Sequence, residues 1–377
     1  MIALPDFRLE SHFSQWEFAA RFNLTASDAE TLSLAELLAL ASPEDRAGFE
    51  EMSLGYTQTY GAPDLRTAIA STYDQRAAED ILCFAGAEEG LYAAMQILLE
   101  PGDHAIVVTP NYQAAETVPL SLCAVSGVPL EPDDHWSLDI DRVAAAIRPQ
   151  TKLVSINFPH NPTGKILERA RFDALIDLCR RHSLWLFSDE VYRPLGPEGA
   201  VHLPQVADVY ERGISLGVMS KAYGLAGLRI GWLACSDRDF LQRCERFKHY
   251  LSICNAGPSE RLALIGLKAR EKILARNRAI VSANLMYLDA FFAAYPGLFE
   301  WARPDGGCVG YPRYLGKESV DLFARRLVEE ASVLVLPSAI YRSDLGPTPT
   351  DRFRIGFGRK GLERGLAAFR AHLEDVS

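Results

Sequence analysis

Cysteine is sparse and never paired: the 377 residues hold seven, none in a Cys-x-x-Cys spacing. A zinc ribbon, a dithiol redox motif and a disulfide framework are therefore not expected, nor is any other metal site. Positive charge is not in excess either. Lys and Arg number 39 against 49 Asp and Glu, a net charge of −10, which argues against a nucleic-acid surface and suits an enzyme of small metabolites. No apolar run approaches the length of a membrane span. The opening MIALPDFRLESHF lacks the form of a secretory signal, so the expected setting is a reducing cytoplasm. No internal repeat or low-complexity stretch interrupts the chain. What remains is an ordinary globular balance, 48% hydrophobic and 23% charged, at a length that calls for two domains.

Near the N-terminus, FSQWEFAARF (13–22) and LSLAELLAL (32–40) carry apolar residues at helical spacing. NLTASD (23–28) between them is polar and turn-like, and Ser27 and Asp28 read as a helix cap. In YTQTYGAPDLRTAIA (56–70) a helix starts at Pro63 after the Gly61 turn. GAEEGLYAAMQILL (86–99) enters an apolar helix through glycine, which leaves free N–H groups able to bind an anion. Strand-like runs then alternate with helices: 104–110, 151–159, 184–192, 214–220 and 230–235, with helical patterns at 141–148 and 171–181. Continuous apolar strands separated by helices indicate an α/β fold with a mostly parallel sheet covered on both faces. Beyond about residue 260 the pattern changes. A long helix (277–295), a helix at 319–331, strands at 332–337 and 352–358 and a last helix ending near Leu373 predict a smaller α+β domain. The expected division is 45–260 for the large domain, and 1–44 with 261–377 for the small one.

In a doubly covered parallel sheet, ligands bind beyond the strand ends. Tyr112, Asn161, Asp189, Tyr192 and Lys221 all follow or end a strand. SKAYGLAGLRIGW (220–232) sets Lys221 eight residues before Arg229. A desolvated lysine amine condenses with an aldehyde, and an arginine fork suits a phosphate. Aldehyde and phosphate together describe pyridoxal 5′-phosphate. That cofactor needs a carboxylate beside its ring nitrogen, for which Asp189 in SDEVYRPL (188–195) is placed. Tyr192, and Asn161 in NFPHNPTG (157–164), could hydrogen-bond its phenolic oxygen. Each residue taken singly also has an ordinary structural reading, Lys221 as a surface lysine and Asn161 as a turn residue before proline.

These landmarks, in this order from Tyr56 to Arg354, resemble the class I/II aminotransferases of pyridoxal phosphate fold type I. The resemblance implies a homodimer in which Tyr56 reaches the neighbouring subunit's cofactor phosphate. It places Gly86, Ala87 and Glu88 at the phosphate-binding turn, with Ser220 and Arg229 beside it. Tyr112 in TPNYQ (109–113) matches the aromatic residue that stacks on the pyridine ring. Arg354 in RFRIGFG (352–358) matches the arginine that clamps the substrate α-carboxylate, a pairing strong and directional on physical grounds alone. The implied reaction moves an amino group between an L-amino acid and a 2-oxo acid, with Lys221, Asp189 and Tyr192 as catalytic residues and Asn161 and Arg354 on the substrate.

Three departures from the family pattern stand out. Val218 replaces a second phosphate-binding hydroxyl, Glu88 replaces a neutral polar residue, and Pro337-Ser338-Ala339 replaces Pro-Gly-Ser. Repulsion from a phosphate predicts that Glu88 turns away. The N-terminal segment is similar to the branch containing capreomycidine synthase, which performs elimination and cyclisation on an arginine derivative. A lyase or cyclase sharing the first steps is therefore the alternative activity. Asp28 or Glu10 would suit a cationic amino acid wherever either faces the pocket.

Overall fold

The computed structural model describes residues 4–196 and 202–375. Its centre is a seven-stranded sheet of β1 (Ile81–Phe84), β2 (His104–Thr109), β3 (Ala124–Pro129), β4 (Thr151–Asn157), β5 (Trp185–Asp189), β6 (Gly213–Val218) and β7 (Gly231–Cys235). The spatial order is β1-β7-β6-β5-β4-β2-β3. Every neighbouring pair is parallel except those of β7, which runs antiparallel to both β1 and β6. The expected α/β architecture is the observed one.

Alternation along the strands explains why both faces are covered. Ala105, Leu153 and Phe187 enter one buried cluster, whereas Ile106, Val154 and Leu186 enter another. The helix Ala87–Leu98 contributes Leu91, Ala94 and Met95 to the first, and the helix Arg169–Arg181 contributes Phe172, Leu175 and Ile176 to the second. Two strands of this sheet lie outside the strand-like runs of the sequence. Ile81–Phe84 is only four residues long, and Ala124–Pro129 contains Gly127 and is mostly half-exposed at the sheet edge. Four apolar residues are too few to tell a strand from a helix segment, and a weakly apolar run lacks the signature of a buried central strand.

After the large sheet, α4 (Arg270–Ala293) starts seven residues earlier than its apolar pattern indicated. Here α1 is Arg8–Trp16, α2 Ala87–Leu98 and α3 Arg169–Arg181, and α5 (Leu362–Asp375) closes the described chain. The strand expected over 332–337 divides in two. Val333–Leu334 pairs in parallel with Phe22–Asn23, and Leu336–Pro337 pairs with Phe353–Gly356. Phe353–Gly356, also flanked by Val309–Gly310, is the middle strand of a small antiparallel sheet and carries Arg354. Phe291, Phe299, Phe323, Phe353 and Phe369 pack ring to ring beneath it.

The expectation of a helix over 13–22 is corrected. Helix α1 ends at Trp16, and Phe18, one of the apolar residues that suggested continuation, is 95% exposed. Pairing of Phe22–Asn23 with Val333–Leu334 requires extended backbone there and overrides helical spacing. No helix among the described residues is long and apolar enough to cross a membrane.

Candidate active site

The carboxyl ends of the parallel strands meet the small antiparallel sheet and α1 around a cavity of about 330 Å³. Tyr112, Asn161, Asp189, Tyr192, Lys221 and Arg354 line it together, although 242 residues separate the first from the last. Ala87, Glu88, Ser220 and Arg229 line it as well.

Lys221 follows β6 in a turn fixed by its neighbours. Its carbonyl accepts from the Ala29 N–H at 3.0 Å and its Nζ donates to Ser27 Oγ at 2.9 Å. Burial is the main cause that lowers the basicity of its amine, reinforced by Arg354 and opposed by Asp28 and Asp189. Asp189 ends β5, paired in register with Asn157 at the end of β4. Burial raises its carboxyl to about 6, against the Val191 N–H, the Asn157 side chain and the Lys221 charge, which all favour the anion.

Arg354 is completely buried. One arm donates to Asn161 Oδ1 at 3.1 Å and another to the Thr25 carbonyl at 2.7 Å, while Nε has no partner among the described residues. Asn161 Oδ1 also accepts from the Tyr341 hydroxyl at 3.2 Å. Its carbonyl oxygen being engaged on that side, the amide nitrogen is the end left for a ligand. The Tyr192 hydroxyl is buried, with the Ser27 side chain nearby, and has no partner of ordinary hydrogen-bond geometry among the described residues. A buried orphan hydroxyl is costly unless a ligand completes it.

At the far side, Gly86 precedes α2 with φ +102°, a conformation that favours glycine, and a Cβ there would strike the Arg229 guanidinium. No side chain caps this helix, so its first N–H groups remain available to an anion. Ser220 Oγ lies 3.5 Å from Arg229 Nη1. Free N–H groups, a hydroxyl and a guanidinium make a donor set fit for a phosphate, and Val218 presents only an apolar side chain beside it.

Two expectations are corrected here. Ser27 and Asp28 cap no helix: the next one, Leu34–Leu38, is capped by Ser33. Instead Ser27 bonds Lys221, and Asp28 forms a two-pronged ion pair with Arg359 at 2.9 and 2.8 Å. Glu88 does not turn away from the site. It lines the cavity beside the Tyr112 hydroxyl, and desolvation with nearby Asp189 and Glu10 raises its carboxyl to about 7. A partly protonated carboxyl escapes much of the repulsion that the expectation assumed. Tyr56 stands apart from the cavity and is 93% exposed. Ser338 is buried outside the cavity lining. Glu10 and Asp28 do face the cavity, joined by Glu17 and Arg359, which sequence reasoning missed. Arg359 stands five residues after Arg354 in RFRIGFGRK, a spacing that could have drawn attention to it.

Residues 22–369 match the family described as aminotransferase class I and II, and the chain belongs to that family. It is a pyridoxal phosphate-dependent aminotransferase, moving an amino group between an L-amino acid and a 2-oxo acid. Among curated proteins it is 34% identical to arginine–pyruvate transaminase of Pseudomonas aeruginosa, over 80% of this chain and 77% of that one. It is 28% identical to capreomycidine synthase of Streptomyces vinaceus, over 98% of this chain and 94% of the other. Among solved structures, a PLP-dependent aminotransferase from Streptococcus suis superposes with a TM-score of 0.92 at 28% identity, covering 99% of both chains.

Proposed function

We propose that Lys221 is the group that binds the cofactor aldehyde and afterwards carries the substrate's α-proton. The observation that carries this reading is the convergence of Lys221, Asp189 and Arg354 on one cavity. Pyridoxal phosphate, when bound, supplies an aldehyde for the substrate amine and a ring that stores the electron pair left at Cα. Arg354 clamps the α-carboxylate, its unpartnered Nε supplying a donor. The Lys221 amine, made less basic by burial, would take the proton from the substrate Cα and return it to the cofactor side of the site. Asp189 holds the proton on the ring nitrogen. Tyr192 and the Asn161 amide donate to the phenolic oxygen, and Tyr112 covers the ring face. Ala87 and Glu88 N–H groups, with Ser220 and Arg229, hold the phosphate.

The working unit in this reading is a cytoplasmic homodimer in which Tyr56 completes the partner's phosphate site. Exposure of Leu54, Tyr56 and Tyr250, each above 80%, supports a covering subunit. Residues 45–260 form the large domain, and 1–44 with 261–377 the small one.

The test is an absorbance titration of cofactor-loaded protein against a panel of amino acids. Loss of the visible cofactor band with stoichiometric 2-oxo acid release is the expected result. Ammonia or a cyclised product with the band retained would replace transamination by elimination or cyclisation.

A further inference from the structure

Of the charged residues lining the cavity, Lys221, Asp189, Arg229 and Arg354 have roles in the reading above, on which this inference rests. Glu10, Glu17, Asp28 and Glu88 remain, against Arg359 alone. Asp28 is satisfied by Arg359 and Glu88 lies beside Tyr112 at the phosphate turn. The Glu10 and Glu17 carboxylates have no hydrogen bond or ion pair within the site or with any other described residue.

Both belong to one helical segment. Glu10 lies in α1 and Glu17 is its C-cap, seven residues on, so the two share a face. Leu9 and Phe13, from the same helix, also line the cavity. The helix is moored over the site: the Arg8 N–H donates to Gln113 Oε1 at 3.0 Å, the Arg8 guanidinium donates to the Ile340 and Arg342 carbonyls, and Phe7 packs on Tyr112. Immediately downstream, residues 25–28 thread past Arg354, Lys221 and Arg359 in turn, through the Thr25 carbonyl, Ser27 and Asp28. The cavity that holds Arg354 is thus lined as well by two apolar side chains of α1 and by two carboxylates with no ion pair among the described residues, although Glu17 feels the charge of Arg359. A methylene stem ending in a cation matches that combination of surfaces.

We propose that Glu10 and Glu17 receive the cationic end, guanidinium or ammonium, of the amino donor's side chain, and that the enzyme selects basic L-amino acids.

The experiment uses the cofactor-loaded enzyme and two matched pairs: L-arginine with its uncharged isostere L-citrulline, and L-lysine with L-norleucine. The second-order rate constant for loss of the visible band and the calorimetric Kd are both read. The expected result is a preference of about tenfold or more for the charged member of at least one pair, the scale of one charge-assisted hydrogen bond. Which pair shows it distinguishes guanidinium from ammonium. In Glu10→Gln/Glu17→Gln the preference falls to near unity. Equal rates and affinities within both pairs, or a preference that survives the double substitution, overturn the proposal. Failure of every amino acid to react, with arginine still bound more tightly than citrulline, would remove the aminotransferase reading and leave the cation subsite standing.

Discussion

Asn277 and Asn284 stand seven residues apart on one buried face of α4 and hold two loops that bring the catalytic groups together. Asn277 Nδ2 donates to the Ala222 carbonyl at 2.9 Å, beside Lys221. Asn284 Nδ2 donates to the Phe357 and Arg359 carbonyls at 2.9 and 2.7 Å, just past Arg354. The helix thereby fixes the distance between the amine and the carboxylate clamp. Substituting Asn277→Leu leaves a buried carbonyl without its donor, an expected loss of about 1–3 kcal/mol. Urea unfolding would measure it, and a change below about 0.5 kcal/mol would show that the bond is not holding the turn.

Lys221→Ala removes the amine while sparing Ser220, Arg229 and the Gly86 turn, which lie on the phosphate side. Transamination is expected to fall by about three orders of magnitude or more, since a covalent and proton-carrying group is lost. Cofactor should still bind, read as fluorescence quenching on titration with pyridoxal phosphate. Retained turnover above a hundredth of the parent value would move the role to another residue.

The cofactor-free protein should lose stability with rising pH through Asp189. Its folded carboxyl holds a proton up to about 6, against an ordinary 3.8. Between these values the folded chain binds a proton that the unfolded chain has released. The stabilisation is therefore complete below the lower value and is lost as pH passes the upper one, a swing of roughly 3 kcal/mol. Glu190, raised to about 7 by burial, acts in the same direction. Asp189→Asn keeps a neutral acceptor for the Val191 N–H. It should raise Tm at pH 8 and change it little near pH 3, below the ordinary carboxyl value. An equal gain at both pH values would mean that charge at Asp189 is not the cause.

Much of this site was legible because its residues follow strands whose apolar runs are unmistakable, as Lys221 follows 213–218 and Asp189 ends 185–189. Local order in the chain was enough to place them on one sheet edge. Ser27 and Asp28 illustrate the opposite case. Their residue types suit a cap, and only the return of the chain past Lys221 and Arg359 decides between cap and site. Glu17 was invisible for a related reason: its apolar neighbours suggested a helix continuing to residue 22, whereas α1 ends beside it. Contacts between segments more than three hundred residues apart, such as Asp28 with Arg359, leave no periodic trace in sequence.

Lys248 should matter to the cofactor although it lies outside the cavity. It is fully buried and donates to the Thr59 and Cys83 carbonyls at 2.7 and 2.8 Å and to Asn255 Oδ1 at 3.3 Å. Glu260 completes the network, accepting from the Ala62 N–H and the Asn255 amide. Together they pin residues 57–62, the stem below Tyr56. Lys248→Met strands two carbonyls and is expected to cost about 2–4 kcal/mol. Unfolding midpoints and the rate of cofactor release should both shift; a normal midpoint would mean that the network is dispensable.

Tyr56 provides the sharpest test of the dimer. Its ring is 93% exposed and outside the cavity of its own chain, while its stem is held rigid by Lys248. A tyrosine so presented is open to a site on a second copy of the chain. Mixing Tyr56→Ala with Lys221→Ala distinguishes the two arrangements. If Tyr56 acts across subunits, each mixed dimer contains one intact site, built from Lys221 of the first variant and Tyr56 of the second. Activity should then rise above the sum of the separate variants, toward a quarter of the parent level at equal mixing, because about half of the dimers are mixed and each has one of two sites. If Tyr56 served its own chain, no mixed dimer would contain an intact site and the activities would only average.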